Sequence, residues 1–336
     1  MGRRLHDWLL ATWYGGTGRG RWLLPLAWLF GGLARLRRTL YARGILGRYR
    51  SRRPVVIVGN LTVGGSGKTP FVVWLAGELA RRRLRVGVAT RGYRGAGGVA
   101  RRLTDADTAD TAGDEPLMIR RRLSVPVAVA ARRAEAVRLL EPDCDVILCD
   151  DGLQHYALAR DLEIVVVDGL RGFGNGRRLP AGPLREPISR LGEADAVVVN
   201  GAGVELPGAI RMQLDPVAVV SLRDGTRRPL SDFAGRDVLA AAAIGNPERF
   251  FDLLRDHGLR VEARAFPDHA RLTPALAGAG QGRPVLLTEK DAVKCSGEGW
   301  GDAGYVEVTA VVDAAAAGSL CDRIAALAGG QRGADT

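Results

Sequence analysis

Short apolar runs, each ending in a polar or glycine-containing turn, recur through the middle of the chain. Six such runs between residues 54 and 200 predict buried strands, and segments with helical periodicity such as ARRAEAVRLL separate some of them. Strands that alternate with helices are typical of parallel β–α–β units, in which helices cover both faces of the sheet. The pattern therefore predicts an α/β fold with a mostly parallel sheet covered by helices.

The pattern continues on a smaller scale after residue 205. PVAVVSL, RPVLLTEKDAVK and YVEVTAVV each contain a strand-like run, and DVLAAAAIGNPERFFDLLRDHGL contains a strand followed by a helix. A chain of 336 residues has room for two domains. We predict an N-terminal segment over residues 1–54, an α/β domain over 55–205 and a second, smaller α/β lobe over 206–330.

The N-terminal segment combines an apolar helical face with the excess positive charge. Its large apolar residues recur at alternating spacings of four and three, which places them on one helical face; they are Trp22, Leu26, Leu29, Leu33, Leu36 and Leu40. Residues 1–54 hold twelve arginines and one acidic residue, so this segment carries the whole net charge of +11. The uninterrupted apolar run covers only residues 22–33, whereas a membrane span needs about 20 residues.

Two interpretations of this segment fit the sequence equally well. An amphipathic helix would lie on an anionic membrane surface, with tryptophans at headgroup level and arginines at lipid phosphates. Alternatively, the helix packs on the protein's own core and its arginines are solvated. A nucleic-acid-binding arm is not expected, because such arms are rarely so rich in leucine and tryptophan.

Composition narrows the class of protein further. The chain is 46% hydrophobic and 25% charged, which is typical of a globular protein with buried cores. Its four cysteines show no metal-like spacing, and no cleavable signal peptide is evident. We therefore expect reduced thiols and a cytoplasmic protein.

The stretch GNLTVGGSGKTP, residues 59–70, predicts a nucleotide-binding loop. A strand precedes it and a helix follows it, as a phosphate-binding loop requires, although Thr62 stands where the usual pattern has glycine. The candidate nucleotide-binding residues are Thr62, Val63, Gly64, Gly65, Ser66, Gly67, Lys68 and Thr69. Lys68 would reach the β- and γ-phosphates, and the hydroxyl of Thr69 would coordinate Mg²⁺.

Two acids end the apolar run in the stretch VILCDDGLQH, residues 146–155. Asp150 and Asp151 stand where a nucleotide-bound magnesium ion needs a carboxylate. Strand alternation points them to opposite sides, so we expect only one of them to meet the ion directly. The alternative is a capping aspartate before a turn.

Four other motifs carry weaker indications. AGDEP, with Asp114 and Glu115, indicates either a site or a helix N-cap, and His269 in FPDHARLT is either a site residue or a structural histidine. The loop over residues 168–187 is rich in glycine, proline and arginine, so it is either a phosphate-holding loop or a solvated one. TEKD, at residues 288–291, is similar to the Asn-Lys-x-Asp of GTPases, but its lysine comes one place late, which weakens that interpretation.

Lysine is rare in this chain. Among 48 basic residues only Lys68, Lys290 and Lys294 are lysines, and they lie in two of the motifs above. Lysine is a compact point charge and arginine a planar fork, so the choice of lysine supports a specific use. The alternative explanation for the few lysines is codon bias combined with chance.

The ordered set of motifs resembles the tetraacyldisaccharide 4′-kinase family, the lipid A 4′-kinases. The motifs are GNLTVGGSGKTP, TRGYRG, GDEP, DDGLQH, RGFGNGRRLPAGPLREP, FPDH and TEKDAVK, and they span residues 59–294. Single motifs are unspecific, but the ordered set is highly specific. The family shares the threonine of the loop, so the resemblance implies a P-loop NTPase-like fold.

The resemblance also implies an activity and a location. The activity is transfer of the γ-phosphoryl group of ATP, with Mg²⁺, to the 4′-hydroxyl of a tetraacyldisaccharide 1-phosphate, which gives lipid IVA. The location is the cytoplasmic side of the bacterial inner membrane, where the N-terminal helix would help to hold a peripheral or monotopic enzyme. We expect no nucleic-acid partner and no obligate protein partner.

The shared motifs imply roles for individual residues. Asp114 corresponds to the acid proposed as general base and His269 to its partner, while Lys68 serves the transferred phosphate. Glu115, Asp150 and Asp151 correspond to metal-site acids. Candidate substrate contacts are Arg91, Tyr93, Gln154, His155, Arg171 and Asn175. The chain departs from many members at Ala270, where they have a second bulky residue after the histidine.

Two other functions fit parts of the sequence. A membrane-associated P-loop NTPase that acts on a partner protein leaves GDEP, FPDH and the arginine-rich loop without a role. A non-catalytic lipid-binding protein with a degenerate loop is disfavoured by the intact Lys68–Thr69 and Asp150–Asp151 pairs.

Overall fold

The computed structural model describes residues 3–16, 18, 20–92, 99–295 and 299–332. In these residues the strands are β1 (Val55–Gly59), β2 (Val86–Thr90), β3 (Arg101–Arg102), β4 (Val127–Val129), β5 (Val146–Asp150), β6 (Leu162–Asp168), β7 (Ala196–Asn200), β8 (Ile210–Ser221), β9 (Arg227–Arg228), β10 (Asp237–Ala242), β11 (Arg260–Ala265), β12 (Val285–Thr288) and β13 (Ala303–Val312). The helices are α1 (Arg3–Tyr14), α2 (Leu24–Ala42), α3 (Lys68–Arg81), α4 (Ala109–Ala112), α5 (Asp114–Arg122), α6 (Arg133–Leu140), α7 (Pro247–Asp256), α8 (Ala275–Ala279), α9 (Glu289–Ala292) and α10 (Ala314–Arg332). Short 3-10 turns lie at Arg21–Leu23, Ile188–Glu193 and Leu230–Phe233.

All of these strands belong to one sheet, in the order β11-β10-β12-β13-β8-β7-β6-β1-β5-β2-β4-β3, with β9 paired to β8. Strands β7 to β4 form one parallel block, and β11 to β13 form a second. The mostly parallel, helix-covered sheet expected from the sequence is therefore present. Hydrogen bonds between neighbouring strands connect the sheet from one edge to the other. The domain boundary at residue 205 stays a prediction.

The long antiparallel pair of β8 and β13 joins the two blocks. β7 pairs in parallel with the beginning of β8, at Ile210–Met212. β12 pairs in parallel with the beginning of β13, at Ala303–Val306, which lies opposite the end of β8. The blocks therefore attach at opposite ends of the two-stranded ribbon, and their carboxyl ends both point toward its middle. Loops that follow strands in either block meet there.

Each parallel block is buried on both faces. In β1, Val56 and Val58 pack with residues of α3 and α5, whereas Val55 and Ile57 pack with residues of α6 on the other face. Strands covered on both sides have no polar face, which explains their continuous apolar sequences. The second block is covered in the same way by α7 on one face and α8 on the other.

The N-terminal helices rest on the loop over residues 168–187. The indole nitrogen of Trp13 in α1 donates to the carbonyl of Pro180 at 3.0 Å. In α2, Ala27 is buried beside Ala181, and a guanidinium nitrogen of Arg178 lies against Gly31. No helix in the described residues is both long and apolar enough to cross a membrane.

The apolar face predicted for α2 points away from the protein. Leu29 is 60% exposed and Leu33 is 58% exposed, and Trp22, Leu26 and Leu36 are exposed as well. The opposite side of the helix faces the body of the protein, where Arg38 donates to Glu193. The structure thus does not bury this face in the protein's own core.

Several elements escaped the sequence pattern. α1 lies before the predicted helix, and α10 follows the last strand-like run of the sequence; residues 333–336 lie outside the described part. β11 is an edge strand of sequence RVEARA with half-exposed side chains, so it has no apolar run to reveal it. β3 and β9 contain two residues each, too few for any periodicity.

Replacement of the fully buried Phe71 in α3 by alanine tests the core of the first block. The cavity left behind should lower the free energy of unfolding by about 3–5 kcal/mol, measured by urea denaturation. Gly77→Ala in the same helix is the matched control, because its new methyl group meets no atom within 4 Å. The control should raise stability by about 0.5–1 kcal/mol. Equal destabilisation by both substitutions would contradict the packing described.

Candidate active site

The glycine-rich loop connects the carboxyl end of β1 to the first turn of α3. Gly64 has φ 106° and Gly67 has φ 88°, backbone values that favour glycine. A side chain at Gly67 would also collide with the amide of Asn200, which donates to the carbonyl of Ser66 at 3.0 Å. Thr62 and Val63 pair with the segment Pro183–Leu184, so this part of the loop is held in place without the usual glycine.

Asp150 and Thr69 lie together at the helix end of this loop. The hydroxyl of Thr69 donates to one carboxylate oxygen of Asp150 at 3.1 Å, and the other oxygen is buried without a partner among the described residues. Phosphate-loop proteins hold Mg²⁺ with this pair of side chains. Of the two predicted acids, Asp150 is the one that contacts Thr69.

Thr69 and Asp150 alone are too few ligands for a metal ion. No group of three or more His, Cys, Asp or Glu side chains in the described chain is arranged to hold a metal ion. Mg²⁺ accepts such a site, since it commonly takes one or two carboxylates and fills its other positions with phosphate oxygens and water. The donor set fits magnesium that arrives with a nucleotide.

Burial governs the protonation of Asp150. Removal from water, and then the negative charge of the nearby Glu115, raises the pKa of Asp150 to about 7. Asp151 lies in a left-handed turn with φ 52°, and its pKa shifts in the opposite direction. Burial acts to raise its pKa, but the charges of Lys68 and Arg185 outweigh this effect and lower it.

Lys68 and Arg185 both contact Asp151. The Lys68 Nζ lies 3.6 Å from Oδ1 of Asp151, and the Arg185 guanidinium donates to the same oxygen at 3.1 Å. Arg185 belongs to the arginine-rich loop, so this loop does reach the site. The pairing holds the ammonium of Lys68 beside the loop in which the phosphates are expected.

Asp114 and His269 form a hydrogen-bonded pair from distant parts of the chain. Nδ1 of His269 lies 2.9 Å from Oδ2 of Asp114. Asp114 is the first residue of α5 and Gly113 occupies the N-cap position, so Asp114 is not the capping residue of this helix. Burial acts to raise the pKa of Asp114, yet the bond from His269 and the charge of Lys294 outweigh it and lower the pKa.

Glu115 is also paired with a lysine. Its carboxylate accepts a bond of 3.0 Å from Lys290 Nζ, which lies 3.8 Å from Asp268 as well. Burial acts to raise the pKa of Glu115, but the charges of Lys290 and then Lys68 lower it. Glu115 is therefore ionised near Asp150, and its role at a metal stays a prediction.

The second parallel block approaches the phosphate loop directly. A side chain at Gly245, after β10, would come within 3.8 Å of the amide of Gly65. Arg171, which also lies near Gly64, donates to the carbonyl of Gly245 at a long 3.4 Å. The same added side chain would come within 3.7 Å of Asp268, the residue before His269, so the phosphate loop and the His269 segment lie close together.

The candidate substrate residues have different surroundings. Arg91 is exposed at the end of β2, and Tyr93 lies outside the described residues. The amide of Gln154 donates to Glu186 at 2.9 Å. Burial, and then the charges of Arg133 and Arg91, lowers the pKa of His155 to about 4, so this imidazole is neutral at physiological pH.

Arg171 and Asn175 lie in the arginine-rich loop. The Arg171 guanidinium lies over the ring of Tyr14 in α1, 5.2 Å from its centroid. The Asn175 amide nitrogen donates to the carbonyls of Ala181 and Thr12. Asn175 thus ties the loop to α1, and the substrate contacts of these residues stay predictions.

The model of the tetraacyldisaccharide-1-P 4′-kinase family, LpxK, matches residues 19–325 of the chain. The chain belongs to this family. A tetraacyldisaccharide 4′-kinase of Azotobacter vinelandii is 49% identical over 312 residues, which cover 91% of this chain and 93% of that one. The same kinase from Pseudomonas aeruginosa strain LESB58 is 47% identical over 308 residues, covering 90% and 92% respectively.

A solved structure agrees with the family assignment. The crystal structure of LpxK from Aquifex aeolicus in complex with ATP matches with a TM-score of 0.77 and 29% identity, over 92% of this chain and 99% of that chain. The predicted family, fold class and enzyme class are therefore confirmed. The protein is an ATP-dependent kinase of lipid A biosynthesis that acts on a hydroxyl group.

The raised pKa of Asp150 predicts a pH-dependent cost in stability. An unfolded aspartate ionises near pH 4, so the folded protein holds an extra proton between about pH 4 and 7 and loses stability as the pH rises through that window. Asp150→Asn removes this loss. Urea denaturation without Mg²⁺ should show the variant gaining on the wild type between pH 5 and pH 8. A stability difference independent of pH would contradict the shift.

Proposed function

We propose that the protein transfers the γ-phosphoryl group of ATP to the 4′-hydroxyl of a tetraacyldisaccharide 1-phosphate, with Asp114 as the general base. The observation that carries this proposal is the bond of 2.9 Å between His269 and Asp114, close to the phosphate loop. A phosphate loop alone accounts for nucleotide binding. A buried carboxylate paired with an imidazole beside it supplies a group that can accept the proton of an alcohol.

The reaction needs positioning and charge neutralisation more than covalent catalysis. The acceptor oxygen forms a bond to the γ-phosphorus while the bond from that phosphorus to the β,γ-bridging oxygen breaks, so ADP leaves. The hydroxyl proton passes to Asp114, and His269 orients this carboxylate. The backbone amides of the loop and the ammonium of Lys68 face the phosphate charge.

We propose Thr69 and Asp150 as the residues that hold Mg²⁺. Their contact of 3.1 Å, together with the unpartnered oxygen of Asp150, supports this assignment. The ion, when bound, neutralises charge on the phosphate oxygens. Asp151 instead pairs with Lys68 and Arg185, so we assign it to positioning Lys68 rather than to the metal.

We further propose that the enzyme works on the cytoplasmic face of the inner membrane, with α2 lying on the lipid surface. The exposed row of leucine and tryptophan side chains supports this location, because so large an apolar face is unfavourable in water. The arginines of residues 1–54 add attraction to anionic headgroups. The acceptor is itself a lipid, so an enzyme bound to the membrane surface encounters it by diffusion along that surface.

The phosphate acceptor can be identified in one assay. The protein is incubated with γ-labelled ATP, Mg²⁺ and a lipid A disaccharide precursor, and the label is then separated into lipid and free phosphate. We expect label in the lipid. Label only in free phosphate would support the alternative of an NTPase that acts on a partner protein, and no release at all would indicate a binding protein.

Asp114→Asn tests the base. The variant keeps the size of the side chain but cannot accept the proton, so kcat should fall by about 10²–10⁴-fold while lipid binding is retained. Vesicle sedimentation with the labelled acceptor measures binding, and the labelling assay measures kcat. The base assignment fails if turnover and binding fall together or if turnover is unchanged.

Leu29→Glu combined with Leu33→Glu tests the membrane face. Two charges placed among the exposed leucines of α2 should lower partition onto vesicles of anionic phospholipid by about tenfold or more, as measured by sedimentation. Val311→Glu, at a half-exposed position on β13, is the matched control and should bind vesicles as the wild type does. Unchanged partition of the double variant would argue against this surface.

A further inference from the structure

The segment TEKDAVK places a buried ion pair next to Asp114, the proposed base. Asp291 is fully buried, and the Lys294 side chain is only 4% exposed. Lys294 Nζ donates to Asp291 Oδ1 at 2.7 Å. Ion pairs withdrawn from water in this way add little stability on average, so stability alone is a weak reason for one here.

Asp291 is fixed in place by bonds that do not involve Lys294. Its Oδ2 accepts from the backbone nitrogen of Ala243 at 2.9 Å and from the hydroxyl of Thr288 at 2.7 Å. These bonds join the carboxyl ends of β10 and β12 to α9. Asp291 therefore presents its other oxygen, Oδ1, in one direction, toward Lys294.

Lys294 extends from this anchor to both members of the catalytic pair. Its Nζ donates to the carbonyl of Ala270, the residue after His269, at 2.9 Å. The same Nζ lies 3.6 Å from Oδ2 of Asp114. The ammonium thus contacts the backbone beside His269 and the carboxylate that His269 orients.

The contacts to Asp114 are asymmetric. Both the imidazole and the ammonium approach Oδ2, and no side chain or backbone group of the described residues hydrogen-bonds Oδ1. The titratable groups around Asp114 include His269, Lys294, Lys290, Arg271, Glu115 and Asp268. Of these, only His269 and Lys294 come within 4 Å of its carboxylate among the described residues.

We propose that Lys294, held by the buried carboxylate of Asp291, is a positioning residue that fixes Oδ2 of Asp114 and thereby turns Oδ1 toward the acceptor hydroxyl. This inference rests on the proposed role of Asp114 as the base. It assigns a function to the TEKDAVK motif, which nucleotide binding and the Asp114–His269 pair leave unexplained. A positioning residue acts through Asp114 and has no separate contact with ATP or lipid.

Lys294→Met provides the first test. The proposal predicts a fall in kcat of about tenfold or more, with the KM values for ATP and lipid within about twofold of the wild type. Because Lys294→Met leaves Asp291 buried and unpaired, Asp291→Asn/Lys294→Met is the second variant; its asparagine oxygen can still accept from Ala243 and Thr288. The pair variant should fold and show the same loss in kcat. Arg271→Ala removes a neighbouring but exposed positive charge and should keep kcat within about twofold.

A double-mutant cycle separates positioning from a merely structural role. If Lys294 acts through Asp114, Lys294→Met adds no further loss to Asp114→Asn. Losses that multiply, a wild-type kcat in the pair variant, or a rise in KM without a fall in kcat would each overturn the inference alone. A wild-type kcat in Asp114→Asn would instead overturn the base assignment, and the inference with it.

Discussion

The site depends on the neutralisation of acids that the fold gathers where a polyphosphate must bind. Asp114, Glu115 and Asp151 each pair with a lysine, at 3.6, 3.0 and 3.6 Å respectively. These partners are Lys294, Lys290 and Lys68, the only three lysines of the chain. Without them, several carboxylates and the nucleotide would repel one another. The fourth acid, Asp150, has Thr69 as its partner instead, and its pKa is raised.

The staggered ribbon of β8 and β13 makes this convergence possible. It directs the carboxyl ends of both parallel blocks toward its middle. The first block contributes the phosphate loop and Asp150, at the ends of the neighbouring strands β1 and β5. The second contributes His269 and the lysines of TEKDAVK, which follow β11 and β12. Each block therefore supplies half of a site that neither contains alone.

Much of the fold and of the nucleotide half of the site could be predicted from the sequence. Buried parallel strands are recognisable as continuous apolar runs. The nucleotide-binding loop over residues 59–70 is recognisable from the spacing of its glycines, lysine and threonine. The pairing of Asp114 with His269 came only from the family resemblance, because 155 residues separate them and no local pattern joins them. The lysine partners were missed, although the scarcity of lysine was the available indication. An ion pair between residues far apart in the chain produces no periodic pattern from which it could be predicted.

In its proposed role Asp114 accepts a proton and never carries the phosphoryl group. The stereochemical course at phosphorus distinguishes these two roles of Asp114. ATP is made chiral at the γ-phosphorus by three oxygen isotopes, and the configuration is determined in the lipid product. A single displacement by the acceptor hydroxyl predicts inversion. Retention would indicate two displacements through a phosphorylated residue of the enzyme, and it would contradict the account.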